Sequence, residues 1–233
     1  MKKILLVHPS RGRPEQAKKI YDNIVQNMSG ENELTYIFTL DNDDPTLEKY
    51  KELFPNLILV TGDNHTSIEA TNRVYNKELI SQYQLVGISS DDIYFPKNWD
   101  KNLFEILDAH GYDKVIKTTN QFQGDPHLLN LQIGGFQFFL DYGTFYWPEY
   151  ISMHADNDMT QFAMVHGRYV EARHLLFPHM QYSLSMPKDI TDQYGPMMTF
   201  DDTYARENEG KAFEHGGATL NKRAREGFPP WLG

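Results

Sequence analysis

The chain has 233 residues, with 22 Lys and Arg against 32 Asp and Glu, a formal net charge of −10 and no cysteine. That acidic balance argues against broad electrostatic attraction to nucleic acid or an anionic membrane, and the missing thiols exclude disulfides, thiolate metal sites and cysteine nucleophiles. A hydrophobic content of 40% is ordinary for a soluble protein, and no stretch approaches the roughly 20 apolar residues of a membrane span.

The chain opens on "KKILLVH", an apolar run that reads as a strand buried on both faces. Its apolar core, Ile4 to Val7, is too short for a signal peptide, so a cytoplasmic protein is expected. Pro14 starts a helical pattern with Ala17, Ile20, Tyr21, Ile24 and Val25 on one face, ending near Gly30. "ELTYIFTL" is the second strand, Leu47 to Phe54 a short helix and "NLILVTG" the third strand. "SIEATNRVYNKELISQY" reads as one helix capped by Ser67. "QLVGI" is the fourth strand, "NWDKNLFEILDAHG" a helix stopped by Gly111, and "DKVIKT" the fifth strand. Such alternation builds a mostly parallel sheet flanked by helices, an α/β fold.

After about residue 120 the pattern changes. "QFQGDPHLLNLQIGGFQFF" reads as short strand-like pieces, and "DYGTFYWPEYISMHADND" is aromatic and irregular. "DMTQFAMVHG" is a short helix closed by Gly167, and "RYVEARHLLFPHMQY" a strand with a proline break. From Pro187 onward the chain is polar, with one helix expected near Asp201 to Asn208 and "EGFPPWLG" as a loop. No repeat, low-complexity tract or linker interrupts it, so residues 1–233 are expected to form one domain.

Ligands of parallel α/β sheets sit at the carboxyl ends of the strands. The residues just past the predicted strands are Pro9-Ser10-Arg11-Gly12-Arg13, Asp41-Asn42-Asp43-Asp44, Gly62-Asp63-Asn64-His65 and Asp91-Asp92. Arginines and carboxylates gathered at one edge suit a phosphate-bearing ligand with a divalent cation, Mg²⁺ or Mn²⁺. Adjacent aspartates also occur by chance in so acidic a chain, usually as solvated turns or caps. Asp91-Asp92 is set apart by ending an apolar strand.

The ordered set of segments resembles the GT-A-fold glycosyltransferases, in particular the family-2-like ones. "ISSDDIYFPKNW" is similar to their Asp-x-Asp region, with Ser90 standing where the first acidic residue is usual. "VHPSRGRPEQA" resembles the opening strand and nucleotide loop, "TLDNDD" the acidic end of the second strand, and "SIEATNRVYNKEL" a helix carrying Asn72 and Arg73. "HADNDMTQFAMVHG" resembles the acidic catalytic segment and "LFPHMQY" the late histidine. The likeness runs over roughly residues 3 to 182. It implies a GT-A-type fold with a nucleotide-binding half (1–120), an acceptor and catalytic half (121–185) and a C-terminal extension (186–233).

The resemblance also implies roles. Asp92 would be the main metal ligand, with His179 completing the site and Asp91 nearer the ribose or the second metal shell. Pro9, Ser10, Arg11, Arg13, Asp41, Asn72 and Arg73 would hold the nucleotide. Asp156 would be the general base of an inverting transfer, with Asp158 the alternative; an N-cap is the competing role for either. Aromatics between Phe136 and Tyr150 include candidates for stacking on a sugar, though most are expected in the core. The implied activity is transfer of a sugar from a nucleotide-sugar donor, UDP-linked favoured, with Mn²⁺ or Mg²⁺. The acceptor is left open among a glycan, a lipid-linked sugar, a protein, a small molecule and modified nucleic acid. Rival readings are a sugar nucleotidyltransferase, disfavoured because "HPSRGRP" has one glycine and no lysine, a metal-dependent phosphoesterase, and a non-catalytic nucleotide- or sugar-binding module.

Overall fold

The computed structural model describes residues 1–63, 66–120, 126–181, 186–200, 205 and 210–233. Its core is a seven-stranded sheet of order β3-β2-β1-β4-β6-β5-β7. The strands are β1 (Lys3–Pro9), β2 (Glu33–Asp41), β3 (Ile58–Gly62), β4 (Leu85–Ile88), β5 (Val115–Thr119), β6 (Ile133–Gly135) and β7 (Tyr169–Leu176). β1 pairs in parallel with β2 and β4, β2 with β3, and β5 with β7; β6 runs antiparallel between β4 and β5.

Strand alternation sorts the core into two layers. In β1, Ile4 and Leu6 join a cluster with Ile20, Phe38, Trp99 and Phe177, while Leu5 and Val7 face the opposite layer with Ile37, Phe138 and Phe162. Neither face of β1 meets water, which is why its sequence is a continuous apolar run. The helices before β5 are α1 (Pro14–Gln26), α2 (Leu47–Leu53), α3 (Ser67–Asn72), α4 (Lys77–Ile80) and α5 (Trp99–His110). Gly111, at φ 104, stops α5 as expected.

The structure differs from the sequence reading in four places. The single helix expected over 67–83 is two, α3 and α4, because Asn76 caps a new start by accepting from Leu79 N. The cap of α3 is Thr66, not Ser67: the Thr66 hydroxyl accepts from Glu69 N at 3.0 Å. "FQFF" is not strand but the start of α6 (Phe136–Tyr142), which buries Phe138, Phe139 and Tyr142 and ends at Gly143, φ 88. The last helical part of the chain begins earlier and runs longer than read. It contains α8 (Lys188–Tyr194) and α9 (Gly210–Glu226); the helix expected at 201–208 falls, apart from Ala205, outside the described residues. No helix among the described residues is long and apolar enough to cross a membrane.

The strand β6 is possible only because of its glycines. A Cβ on Gly134 would lie 2.7 Å from the Val115 Cα, so any side chain there would push β5 away from its neighbour. Beyond β6, α7 (Ala155–Val165) packs on β7, and α9 packs on α7. The joint between α7 and α9 is a buried ion pair. Arg223 donates from Nε to Asp158 Oδ2 at 2.8 Å and from Nη2 to Oδ1 at 3.1 Å. Tyr142 and Tyr150 hydroxyls donate to the same carboxylate at 2.8 and 3.1 Å. The guanidinium lies 3.5 Å from the Trp147 ring centre, and neither charged side chain is exposed to solvent.

Candidate active site

A cleft of about 620 Å³ opens at the carboxyl ends of the parallel strands. Its wall takes Pro9, Ser10, Arg11 and Arg13 from beyond β1, Asp41 from the end of β2, Asp91 and Asp92 from beyond β4, Asp156 from α7, and His179 from beyond β7. Nine residues named from the sequence thus meet in one place.

The two adjacent aspartates have different surroundings. Asp91 is 5% exposed. Its carboxylate accepts from Ser10 Oγ at 2.9 Å and from His8 Nε2 at 3.0 Å, with Arg13 Nη1 at 3.8 Å. With Nε2–H directed at Asp91, His8 Nδ1 accepts from the Tyr36 hydroxyl at 2.5 Å. Gln16 Nε2 donates to the Asp91 carbonyl at 2.8 Å. Asp91 is therefore a fixed anion tying β4 to β1 and α1, and it holds Ser10 and Arg13 at the mouth of the β1 loop.

Asp92 faces the other way. Ser90 Oγ donates to its Oδ1 at 2.6 Å, and His179 Nε2 lies 3.2 Å from its Oδ2. Residues 87 apart in sequence meet because a short antiparallel ladder pairs Ile93 with His179, with Met180 N donating to Asp92 O at 2.7 Å and Tyr94 N to Pro178 O at 2.9 Å. Burial alone would raise the Asp92 carboxyl, but the His179 charge and hydrogen bond, the Ser90 hydroxyl and Arg13 outweigh it and hold it at about 2. Burial works against the charged His179, yet the Asp92 carboxylate prevails and raises its pKa. Among the described residues no group of three or more His, Asp or Glu side chains forms a metal cage.

At the far end of the β1 loop, Arg11 Nη1 donates to Asp41 Oδ2 at 3.2 Å and to Asp43 Oδ1 at 2.5 Å. Arg73 Nη2 approaches Asp41 Oδ1 at 3.5 Å, but its main bonds go to the carbonyls of Leu40 and Asp63. Asn72 uses its whole amide on one loop: Oδ1 accepts from Tyr146 N at 2.8 Å and Thr144 Oγ1 at 3.1 Å, and Nδ2 donates to Tyr146 O at 2.7 Å. Neither Asn72 nor Arg73 lines the cleft. Asn64 and His65 lie outside the described residues.

Asp156 stands in the first turn of α7 with Oδ1 accepting from Asn157 N at 2.8 Å. Burial raises its pKa; the backbone N–H groups of Asn157 and Asp156 and the charges of His154 and His179 only partly offset this. Neither aspartate caps α7, because the cap position is His154, at φ 71. Asp158, two residues on, points away from the cleft into the Arg223 pair.

Of the aromatic stretch only Tyr146 reaches the cleft wall, its hydroxyl donating to Gln132 Oε1 at 2.7 Å; Phe138, Phe139, Tyr142, Phe145, Trp147 and Tyr150 are buried. The sequence reading missed His8, Asn130, Gln132, His154 and Phe213. His8 is hidden inside a strand, Asn130 and Gln132 lie in a stretch read only as short strand-like pieces, and Phe213 belongs to a helix not foreseen. His154, quoted within "HADND", gave no signal of its own; its ring lies against Phe213, with centroids 4.7 Å apart.

No protein-family model and no curated protein sequence matches the chain. Solved structures do. The structure of S. aureus TarS 1–349 covers 98% of this chain and 80% of its own at 14% identity and a TM-score of 0.55. TarS 1–349 in complex with UDP covers 97% and 72% at 15% identity, TM-score 0.53. The chain spans only 36% of a longer S. aureus TarS structure. Glucosyl-3-phosphoglycerate synthase from Mycobacterium tuberculosis, in complex with Mn²⁺, UDP and glucosyl-3-phosphoglycerate, covers 83% and 76% at 9% identity, TM-score 0.52. The chain has the GT-A glycosyltransferase fold, as its resemblance implied.

Proposed function

We propose that the chain is a divalent-metal-dependent, inverting glycosyltransferase that moves a sugar from a UDP-linked donor to a hydroxyl acceptor. The observation that carries this reading is Asp92 facing His179 across 3.2 Å at the end of β4, in the same cleft as the raised carboxyl of Asp156. The UDP and Mn²⁺ in the structures of similar fold support the choice of donor and cation. The acceptor remains any hydroxyl compound of the five classes named from the sequence.

Asp92 and His179 fit a cation. They offer one anionic oxygen and one ring nitrogen, and an ion such as Mn²⁺ or Mg²⁺ takes its other ligands from phosphate oxygens and water. When bound, it would supply positive charge against the leaving diphosphate. Asp91 keeps Ser10 and Arg13 fixed beside that position, and Arg13 adds a second positive charge. Arg11 and Asp41 form the nucleotide end: the carboxylate can accept from a base N–H, and Arg11 holds it in place.

Asp156 would take the proton of the acceptor hydroxyl as the new bond forms. Its burial raises its affinity for that proton, bringing the pKa closer to working pH, where a base is most effective. The sign follows: Asp156 acts only when ionised, and its raised pKa makes it protonate at a higher pH than an ordinary aspartate. The acid limb of kcat/KM is expected above the usual 3.8. A limb at the ordinary value in the pH–rate profile would remove Asp156 as the base.

The metal claim is tested by calorimetry of UDP with Mn²⁺ and with EDTA. Binding should need the cation, and Asp92→Asn should abolish the difference. Equal UDP affinity under both conditions in the unaltered protein would overturn the reading.

A further inference from the structure

Asn130 is 8% exposed and forms part of the cleft wall. Its segment, just before β6, lies between the two ends of the proposed chemistry. On one side Ile88 N, at the end of β4 leading to the aspartates, donates to Gln132 O at 2.8 Å. On the other, Leu129 N donates to Thr160 Oγ1 at 3.0 Å, and that hydroxyl donates to Asp156 O at 2.7 Å. A sugar leaving a diphosphate near Asp92 for a hydroxyl near Asp156 passes this segment.

The amide of Asn130 has a fixed orientation. Lys117, 3% exposed on β5, places its Nζ 3.1 Å from Asn130 Oδ1 and also donates to the Leu128 carbonyl. An ammonium only donates, so the atom facing it must be the amide oxygen. The NH₂ end is turned the other way, and Nδ2 is buried with no hydrogen-bond partner among the described residues. Buried amide donors are almost always paired. Here the neighbouring ammonium also polarises the amide and strengthens its N–H groups as donors.

We infer that Asn130 reads the transferred sugar, its Nδ2 donating to an accepting oxygen on the ring, a hydroxyl or the carbonyl of an acylamino group. The inference rests on the glycosyltransferase reading above. It gives the site a preference: a sugar with a hydrogen in place of that oxygen leaves Nδ2 unpaired and is rejected.

The test is calorimetry in Mn²⁺ with UDP, UDP-glucose, UDP-galactose and UDP-N-acetylglucosamine. Asn130→Asp keeps the shape and the contact with Lys117 but replaces the donor by an acceptor. UDP affinity should stay within about twofold, while the sugar nucleotides bound by the unaltered protein should weaken about tenfold or more. Asn130→Ala, which adds no charge, should give the same split and serves if the Asp variant does not fold. Parallel weakening of UDP and UDP-sugar, or no weakening of either, would overturn the role of Asn130. So would an unaltered protein that binds UDP but none of the three sugar nucleotides. An unaltered protein that binds no UDP would instead overturn the glycosyltransferase reading itself, and this inference with it.

Discussion

Asp156→Asn lowers the rate of sugar transfer by roughly 10²–10⁴-fold, the usual contribution of a positioned general base, and leaves Mn²⁺-dependent UDP binding close to normal. The amide has nearly the same shape as the carboxylate and can still meet Asn157 N, so the first turn of α7 keeps its geometry. What it cannot do is take a proton. The comparison variant is Asp158→Asn. Asp158 was the alternative base in the sequence reading, but its carboxylate lies among Arg223, Tyr142 and Tyr150 and has no place on the cleft wall. Its loss should appear in stability before chemistry. Transfer assays on both variants at equal folded concentration decide between them. Near-normal turnover in Asp156→Asn would end its role as base, and with turnover lost only in Asp158→Asn the assignments would be exchanged.

Arg223→Met should destabilise the protein by about 3–5 kcal/mol, because it leaves the Asp158 carboxylate buried without its cation. For a chain of this size that is a fall in melting temperature of roughly 6–20 °C. The methionine fills much of the same volume against Trp147, so the loss reports the uncompensated charge more than a cavity. Adding Asp158→Leu should recover part of it, since an apolar pair avoids the desolvation cost; recovery stays incomplete because the Tyr142 and Tyr150 hydroxyls lose their acceptor. Denaturant unfolding of the two variants and the unaltered protein measures this. A single variant as stable as the unaltered protein would show that Arg223 is not what holds α9 against α7.

The parallel half of the fold was readable because β1 and β4 are buried on both faces and each long helix has an apolar stripe. The cleft followed from topology: carboxyl ends of parallel strands converge, so Ser10, Arg11, Asp41 and Asp92 could be named without coordinates. His179 and Asp156 came only through resemblance, since no local pattern shows that Pro178-His179 crosses over to pair with Ile93. "GGFQFF" misled because its polar-apolar alternation mimics a strand, while the helix is set by packing of Phe138, Phe139 and Tyr142 and by Gly143. Asn72 and Arg73 looked like nucleotide ligands because amides and guanidines are. Which partner such a group takes is a tertiary fact, and here the partners are backbone carbonyls and the Tyr146 loop.

The Asp158–Arg223 pair closes a loop of 65 residues, which has a consequence for biosynthesis. At about 5–20 residues per second, a ribosome needs roughly 3–13 s to travel from one partner to the other. Throughout that interval the nascent protein carries the Asp158 carboxylate and the Trp147 ring without the helix that covers them. The unfinished joint is then an apolar surface around a carboxylate that lacks its cation, a natural point for a chaperone to act. A slow codon stretch between the two residues would lengthen this exposure without changing a single amino acid.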